Sequence, residues 1–210
     1  MARIALIGAT GGIGQHVCSQ ALSQGHAVSA LARTPSKLDS HPNLVVTHGT
    51  VTNADAVRTT VAGCEMVLSC LGTTSGDAPV VTEGTRQIVS AMQHHQIHRL
   101  AMISSVGVGD SKPQGKRVSR LFMHVIVPLI LRQRFYELEA AEQAARQLPR
   151  AVIIRPTGLS NRAGTGNYRP ETHDSSRTSL QIPRADVAAF MVALIHNDSW
   201  DGQSVSLFSA

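Results

Sequence analysis

The strongest constraint on the fold is a glycine-rich segment close to the start of the chain. Its sequence, Gly8-Ala9-Thr10-Gly11-Gly12-Ile13-Gly14, directly follows the short apolar run Ile4-Ala5-Leu6-Ile7. Such a run is typical of a buried parallel strand. Glycines at the first, fourth and seventh positions let the backbone turn sharply and let the next helix pack closely on the sheet. The segment therefore predicts a strand, a tight turn and a helix that begins near Gly12.

The N-terminus of such a helix is suited to bind an anion. Its free N–H groups and the positive end of its dipole would face the turn. A glycine-rich turn alone could be only a tight connection, but here a strand precedes it and a helix follows it. The pattern therefore favours a dinucleotide whose pyrophosphate lies against the loop.

Beyond this unit, strand and helix patterns alternate along the chain, which is typical of an α/β protein. The predicted strands after the first are His26–Ala32, Leu44–Thr47, Glu65–Leu71, Leu100–Ser104, Ala151–Ile154 and Val205–Phe208. The predicted helices are Gln15–Ser23 (ended by Gly25), a helix from its cap Asn53 to Val61, Thr85–His94 (capped by Thr85 or Thr82), a region over 120–147 broken or bent near Pro128, and Ala185–His196.

This order predicts a Rossmann-like, doubly wound parallel sheet flanked by helices. One domain is expected over residues 1–210, because no linker divides the chain. The stretch from Pro156 to about residue 180 is rich in Gly, Ser, Thr, Asn and Arg, and we interpret it as a loop region on the substrate side.

Composition excludes several classes of function. Aromatic residues are few, which argues against stacking platforms for nucleic acid. Three cysteines without metal-ligand spacing indicate neither a disulfide framework nor a zinc site, and the scattered histidines predict no metal. Met1 leads straight into the first strand, so a cytoplasmic protein is expected.

The net charge of +5 is unevenly distributed. Residues 111–135 contain six basic side chains and no acidic one, around the apolar run Leu121–Leu131. This segment could be a membrane-surface helix, a lid over a substrate site, a subunit contact or a solvated helix with one buried face. It is too short to span a bilayer, so no transmembrane segment is predicted. A monomer and a homodimer both remain open.

The end of the second strand indicates which dinucleotide would bind. An acidic residue at this position would bind the adenosine ribose of NAD. The chain instead has Arg33, followed by Thr34 and Lys37, and the nearest acid, Asp39, lies further on. Because a guanidinium binds phosphate in a bidentate manner, these residues favour the 2′-phosphate of NADP(H) over NAD(H).

Taken together, these motifs resemble those of the atypical short-chain dehydrogenase/reductases. The further motifs are Leu71-Gly72 after the fourth strand, Ser104-Ser105 after the fifth and Arg155-Pro156-Thr157-Gly158-Leu159 after the sixth. Within that family, the chain is similar to the single-domain NAD(P)H-binding group that includes flavin reductase/biliverdin IXβ reductase and the NmrA-like proteins. The resemblance covers almost the whole chain.

The resemblance implies a set of site residues. It assigns Gly8, Thr10, Gly11, Gly12, Ile13 and Gly14 to the pyrophosphate, and Arg33, Thr34 and Lys37 to the 2′-phosphate. It assigns Thr50 and Val51 to the adenine, where the family often has Asp in place of Thr50, and Cys70, Leu71 and Gly72 to the ribose. Ser104 and the run Pro156, Thr157, Gly158 and Leu159 would complete the cofactor site, with Ser105 over the reacting centre.

Ordinary alcohol dehydrogenation by such proteins uses a tyrosine with a lysine four residues later, because the ammonium lowers the pKa of the phenol. Here Tyr136 is followed by Ala140 and Tyr168 by Thr172. The resemblance makes Ser105 the first catalytic candidate for a simpler reaction, because it matches the serine that lies over the cofactor in the biliverdin reductase group, and Tyr136 is the second candidate.

We predict an NADPH-dependent reductase that transfers hydride to a planar conjugated acceptor, such as a flavin, a biliverdin-like tetrapyrrole or a quinone. Such acceptors take their proton from solvent, so positioning supplies much of the catalysis. The acceptor would be a small molecule, and an anionic one would suit the basic segment. The alternatives are a non-catalytic NADP(H)-binding redox sensor of the NmrA-like type and a nucleotide-sugar epimerase or dehydratase.

Overall fold

The structure is a computed structural model that describes residues 1–72, 80–109, 127–172 and 179–210, with only the backbone for 127–133. Its strands are β1 (Arg3–Ile7), β2 (Ala27–Ala32), β3 (Leu44–His48), β4 (Met66–Ser69), β5 (Arg99–Ile103), β6 (Arg150–Pro156), β7 (Gly158–Ser160), β8 (Tyr168–Glu171), β9 (Gln181–Pro183) and β10 (Ser204–Ser209). Its α-helices are α1 (Gly12–Ser23), α2 (Ala54–Val61), α3 (Val80–His94), α4 (Val127–Ala145) and α5 (Arg184–Ala193).

Eight strands form one twisted sheet in the order β3-β2-β1-β4-β5-β6-β10-β8. All neighbours are parallel except β10 and β8, which are antiparallel. The chain passes from β1 outward to β3 and then returns to β4 on the other side of β1. This reversal creates a crevice at the carboxyl end of β1, where open α/β sheets bind their ligands. The predicted doubly wound, Rossmann-like α/β fold is confirmed.

Both faces of the sheet are buried, which explains why its central strands are continuously apolar. Along β1, Ile4 and Leu6 face the layer formed by α1 and α5, whereas Ala5 and Ile7 face the layer formed by α2, α3 and α4. The alternating orientation of successive side chains divides one apolar run between two cores.

Two predicted details are wrong. Thr82 and Thr85 do not cap α3, because the helix already includes Val80 and both threonines lie within it. The loop predicted after β6 contains the strands β7 and β8, and β8 adds an antiparallel edge to the sheet predicted as parallel. The basic segment lies outside the described residues, apart from the part of it that α4 includes. In the described parts of the chain, no helix has both the length and the apolar character needed to cross a bilayer.

One buried histidine, His26, makes stability sensitive to acid. His26 is 2% exposed, lies 5.1 Å from His196 between ring centroids, and accepts a hydrogen bond from the backbone N–H of Ala2 on Nδ1 at 3.3 Å. Burial, His196 and the N-terminal ammonium lower the pKa of His26 below its usual 6.5, and only Glu65 opposes them. The folded protein therefore favours the neutral ring.

We expect the free energy of unfolding to decrease as the pH falls below about 6.5, because His26 then binds a proton in the unfolded chain but stays neutral in the folded protein. Above that pH His26 is neutral in both states, so it adds no pH dependence to the free energy of unfolding. Melting curves from pH 7 to 5 should show His26→Asn losing about 2 °C less than the wild type. His98 is exposed, so His98→Asn is the control and should show the same dependence of the melting temperature on pH as the wild type. The same pH dependence in His26→Asn would contradict the role of His26.

Candidate functional site

The glycine-rich loop has a geometry that only glycine permits. Gly8 has φ +83°, and a Cβ there would lie 2.7 Å from the carbonyl oxygen of Cys70. The N–H of Gly11 donates to the carbonyl of Gly8 at 3.0 Å, which closes the turn. A Cβ at Gly14 would lie 2.1 Å from the same Gly8 oxygen, so the absence of a side chain lets α1 pack against the loop. The loop is thus a cradle that side chains would fill.

The first turn of α1 faces this cradle. Its N-cap, Gly11, provides no side-chain hydrogen bond, and the first turn contains no acidic residue. The first helical hydrogen bond is from the N–H of Gln15 to the carbonyl of Gly11, so the N–H groups of residues 12–14 precede the helical ladder. These donors and the positive helix end fit an anionic pyrophosphate.

A cleft of about 360 Å³ extends from the loop along the carboxyl ends of β1, β2 and β4. The sequence-predicted residues that line it are Gly8, Thr10, Gly11, Arg33, Lys37, Thr50, Val51, Cys70, Leu71 and Gly72. Residues that sequence reasoning missed also line it: Ile7, Leu31, Gly49, Thr52 and Val80. The structure therefore brings the predicted adenosine half of the site together in one cleft.

At the β2 side of the cleft lie two cations. Arg33 follows β2, and a 3-10 turn over Pro35–Lys37 brings Lys37 back to the same cleft. Both side chains are exposed, and within the described ranges neither has a carboxylate within 4.0 Å. Asp39 instead lines a neighbouring groove against α1. Thr34 is exposed beside the turn and does not line the cleft.

The predicted adenine side is closed by helix α3. Val51 is buried, and the hydroxyls of Thr50 and Thr52 are hydrogen-bonded to each other at 3.0 Å. A Cβ at Gly84, within α3, would lie 2.7 Å from Val51 Cγ1 and 3.0 Å from Leu71 Cδ1. Gly84 therefore lets α3 pack directly behind the cleft wall. A glycine inside a helical pattern was the available sequence signal for this contact.

Cys70 contributes a neutral thiol to the cleft. Its Sγ lies 3.8 Å from the sulfur of Met191, and burial raises the pKa of the thiol to about 12. At neutral pH the group is protonated, and since the thiolate is the reactive form, Cys70 is a poor nucleophile. It forms a wall of the cleft without adding charge.

The ends of β5 and β6 meet at a buried ion pair. Arg155 and Glu142 are each 3% exposed in their side chains; Nη2 of Arg155 donates to Oε2 of Glu142 at 2.6 Å, and Nε donates to Oε1 at 3.0 Å. Ser104 Oγ donates to the same Oε1 at 2.6 Å. Ser104 is therefore turned into the protein, whereas the neighbouring Ser105 is half-buried and donates to the carbonyl of Val106 at 3.2 Å.

Tyr136, the other catalytic candidate, lies on α4 and is 58% exposed. Its neighbour Phe135 packs on the loop after β5, since a Cβ at Gly107 would be 3.1 Å from the phenyl ring. On the other side, the carboxylate of Glu137 accepts a hydrogen bond from the N–H of Val81 at 2.6 Å. Neither Tyr136 nor the two serines line the cleft.

The segment after β6 lies outside the cleft lining as well. Thr157 is buried, its N–H donates to the carbonyl of Leu207, and its hydroxyl has no hydrogen-bond partner among the described residues. An unsatisfied buried hydroxyl costs about 1–3 kcal/mol, so a hydrogen-bonding group placed beside it would stabilise the protein. Gly158 begins β7, where a Cβ would lie 2.8 Å from the carbonyl oxygen of Leu180.

The following loop is fixed by a buried carboxylate that sequence reasoning did not identify. Asp186 is 2% exposed and accepts hydrogen bonds from the N–H groups of Thr165 and Gly166, both at 2.9 Å. The hydroxyl of Thr165 donates to it at 3.0 Å. This arrangement ties the loop after β7 to the first turn of α5.

Sequence comparison decides the family. A sequence model of the NAD(P)H-binding family matches residues 8–198, which is most of the chain. This chain belongs to the NAD(P)H-binding family. The resemblance to atypical short-chain dehydrogenase/reductases is thereby confirmed at the level of the family, and the glycine cradle described above fits the pyrophosphate of such a cofactor.

The NAD(P)H-binding protein is similar to several known proteins. It is 29% identical over 192 residues to the 3-beta-hydroxysteroid dehydrogenase of Mycolicibacterium neoaurum, which covers 80% of this chain and 50% of that relative. The chain thus spans about half the length of this curated relative. The activity of that relative belongs to a longer chain, of which this chain matches half.

Solved structures share the fold. ChuY of Escherichia coli O157:H7, described as an anaerobilin reductase, has a TM-score of 0.80 at 22% identity and covers 99% of this chain and 97% of its own. A short-chain dehydrogenase/reductase of Veillonella parvula in complex with NADP has a TM-score of 0.83 at 17% identity, and the match covers 99% of this chain and 94% of that one. The NAD(P)H-binding protein therefore has the fold of NAD(P)H-binding oxidoreductases.

Proposed function

We propose that this protein is an NADPH-dependent reductase that transfers hydride to a planar conjugated acceptor, namely a flavin, a biliverdin-like tetrapyrrole or a quinone. The observation that carries the proposal is the single cleft that joins the glycine cradle to Arg33 and Lys37. Two cations without a carboxylate partner among the described residues suit the 2′-phosphate that distinguishes NADPH from NADH.

The proposed cofactor site also includes predicted residues that do not line the cleft. The backbone of Gly12, Ile13 and Gly14 would bind the pyrophosphate through its N–H groups. Thr157, with its unsatisfied buried hydroxyl, is the member of the segment after β6 that best fits a polar group of the nicotinamide end. That segment and the loop tied to Asp186 would form the acceptor side.

The proposed reaction requires little acid–base chemistry from the protein. NADPH, when bound, supplies the hydride, and the reduced acceptor takes one proton from solvent to balance the charge. The protein's residues bind both partners and hold them in contact, and such positioning accounts for a large part of a rate enhancement. Ser105 would lie beside the reacting atoms and orient the acceptor through its hydroxyl.

Two observations support a conjugated acceptor over an ordinary alcohol or ketone. Tyr136 is followed four residues later by Ala140, so the lysine that works with the tyrosine in ordinary alcohol dehydrogenation is missing at that spacing. ChuY, which has the same fold, is described as a reductase of anaerobilin. A reductase with a similar acceptor is therefore the function that the site supports best.

Arg33→Glu is expected to weaken NADPH binding tenfold or more, about 1.4 kcal/mol, and to change NADH binding much less. The carboxylate would repel the 2′-phosphate that the guanidinium attracts. Titration of each cofactor by intrinsic or nicotinamide fluorescence measures both constants. The matched control is Arg58→Glu, the same charge reversal on the exposed face of α2; equal losses for both cofactors would contradict the proposed preference.

Ser105→Ala is expected to lower the turnover number about tenfold or more while the dissociation constant of NADPH stays within twofold. Ser104→Ala is the comparison, because its hydroxyl is committed to Glu142. Ser104→Ala should act mainly on stability. Wild-type turnover in Ser105→Ala would remove Ser105 from the mechanism.

One assay tests the function itself. NADPH absorbance at 340 nm is followed with the purified protein and FMN, FAD, biliverdin or a quinone, and a 3β-hydroxysteroid with NADP⁺ is added because of the curated relative. Turnover with a conjugated acceptor supports the reductase. Tight NADPH binding without turnover of any compound would instead favour the non-catalytic redox sensor.

A further inference from the structure

Arg184 lies directly on the glycine cradle, although it is more than 170 positions away in the sequence. It is the first residue of α5, and a Cβ on Gly12 would be 2.9 Å from both Cδ and Nε of its side chain. The absence of a side chain on Gly12 therefore creates the space that the arginine occupies. This contact gives Gly12 a role that the spacing of the loop glycines does not explain.

The position of Arg184 is fixed from two sides. Its Nη1 donates to Oδ1 of Asn161, just after β7, at 2.6 Å. The side-chain amide of Gln20, on α1, donates to the carbonyl of Ala185 at 3.0 Å and joins the two helices. The guanidinium therefore connects the start of α1 with the loop on the proposed acceptor side.

The charge of Arg184 has no carboxylate partner within 4.0 Å in the part of the chain that is described. The nearest acid in sequence, Asp186, is buried and committed to the loop at Thr165 and Gly166. The guanidinium lies against Gly12 at the N-terminus of α1, where the helix dipole is positive and the first turn contains no acidic residue. Two positive contributions thus converge there, and they would favour an anion between them.

We propose that Arg184 binds the pyrophosphate of NADP(H) and, through Asn161, positions the loop on the acceptor side when the cofactor is bound. This inference rests on the proposed cofactor, and it adds a side-chain contact to a site otherwise built from backbone N–H groups. Arg184 is thus a binding and positioning residue at the pyrophosphate, whereas Arg33 would bind the 2′-phosphate of the adenosine ribose.

The proposed contacts of Arg184 and Arg33 can be tested separately with a truncated ligand. Adenosine 2′-monophosphate contains the adenine and the 2′-phosphate but no pyrophosphate. Arg184→Met should weaken NADPH binding tenfold or more and leave the dissociation constant of adenosine 2′-monophosphate unchanged, whereas Arg33→Glu should weaken both ligands. Calorimetry or ligand-observed NMR measures each constant without any turnover.

Arg162→Met is the matched control. It removes the same charge from an exposed residue next to Asn161 and should bind both ligands like the wild type. Asn161→Ala, a small change on an exposed loop residue, should weaken NADPH several-fold by releasing the guanidinium. This second variant tests the contact even where Arg184→Met folds poorly.

The outcomes distinguish the role of Arg184 from the cofactor assignment on which it rests. Wild-type NADPH affinity in both Arg184→Met and Asn161→Ala, or equal losses for both ligands, would overturn the role of Arg184 while the cofactor assignment stands. A wild-type protein that binds neither NADPH nor adenosine 2′-monophosphate would refute the cofactor preference and this inference with it. A loss of NADPH affinity alone in Arg184→Met, with wild-type affinity in Arg162→Met, supports the contact between Arg184 and the pyrophosphate.

Discussion

Gly8→Ala is expected to lower the affinity for NADPH at least tenfold and the free energy of unfolding by about 2–4 kcal/mol. The left-handed backbone at φ +83° costs an L-residue about 1–2 kcal/mol. In addition, the new Cβ would lie 2.7 Å from the carbonyl oxygen of Cys70, and neither backbone can move away without displacing a buried strand. The turn would shift away from the pyrophosphate position.

Gly25→Ala provides a close control for this variant. Gly25 has nearly the same conformation, φ +80°, but a Cβ there would meet no atom within 4 Å. It should therefore cost only the backbone strain, about 1–2 kcal/mol, and keep the wild-type NADPH affinity. Urea unfolding and NADPH titration of both variants separate strain from collision. NADPH affinity in Gly8→Ala equal to that in Gly25→Ala would show that the cradle does not contact the cofactor.

Glu142→Ala is expected to destabilise the fold by about 3–5 kcal/mol, because the buried guanidinium of Arg155 would lose its carboxylate. Both partners are 3% exposed, so water cannot replace the lost hydrogen bonds. The same substitution removes the acceptor of the Ser104 hydroxyl. Chemical denaturation monitored by circular dichroism gives the free energy of unfolding.

Arg146→Met tests whether burial causes this effect. The guanidinium of Arg146 lies 3.8 Å from the same carboxylate, but 47% of its side chain is exposed. Removing it should cost no more than about 1 kcal/mol. The double variant Glu142→Leu with Arg155→Met should recover much of the loss, since apolar replacements of a buried pair are often close to neutral. A loss below about 1 kcal/mol for Glu142→Ala alone would contradict the buried-pair interpretation.

The features that the sequence predicted well are those decided by a few neighbouring residues. The positive φ at Gly8 follows from a turn that must reverse the chain within a few positions. Asn53 caps α2 as expected, with its side chain accepting hydrogen bonds from the N–H groups of Asp55 and Ala56 at 3.0 and 3.1 Å. Arg33 and Lys37 share the cleft because a three-residue turn joins them.

The features that escaped prediction depend on contacts between distant segments. At the start of α3, the N–H of Val81 is satisfied by Glu137, which belongs to another helix. A threonine cap is unnecessary there, so the local rule that pointed to Thr82 and Thr85 failed. Arg184 likewise reaches Gly12 only because α1 and α5 pack side by side. Neither contact has a signature within a short window of sequence.

Apart from Val80, every described residue that lines the cleft comes from one uninterrupted stretch, residues 7–72. The segments proposed to face the acceptor come later, from Ser105 onward, and are attached through β5, β6 and α5. The residues proposed to select the cofactor and those proposed to face the acceptor thus lie in successive parts of the chain. A chimaera that exchanges the first 80 or so residues with those of an NADH-dependent homologue should therefore exchange the cofactor and retain the acceptor, provided that the partner glycine for Arg184 is kept.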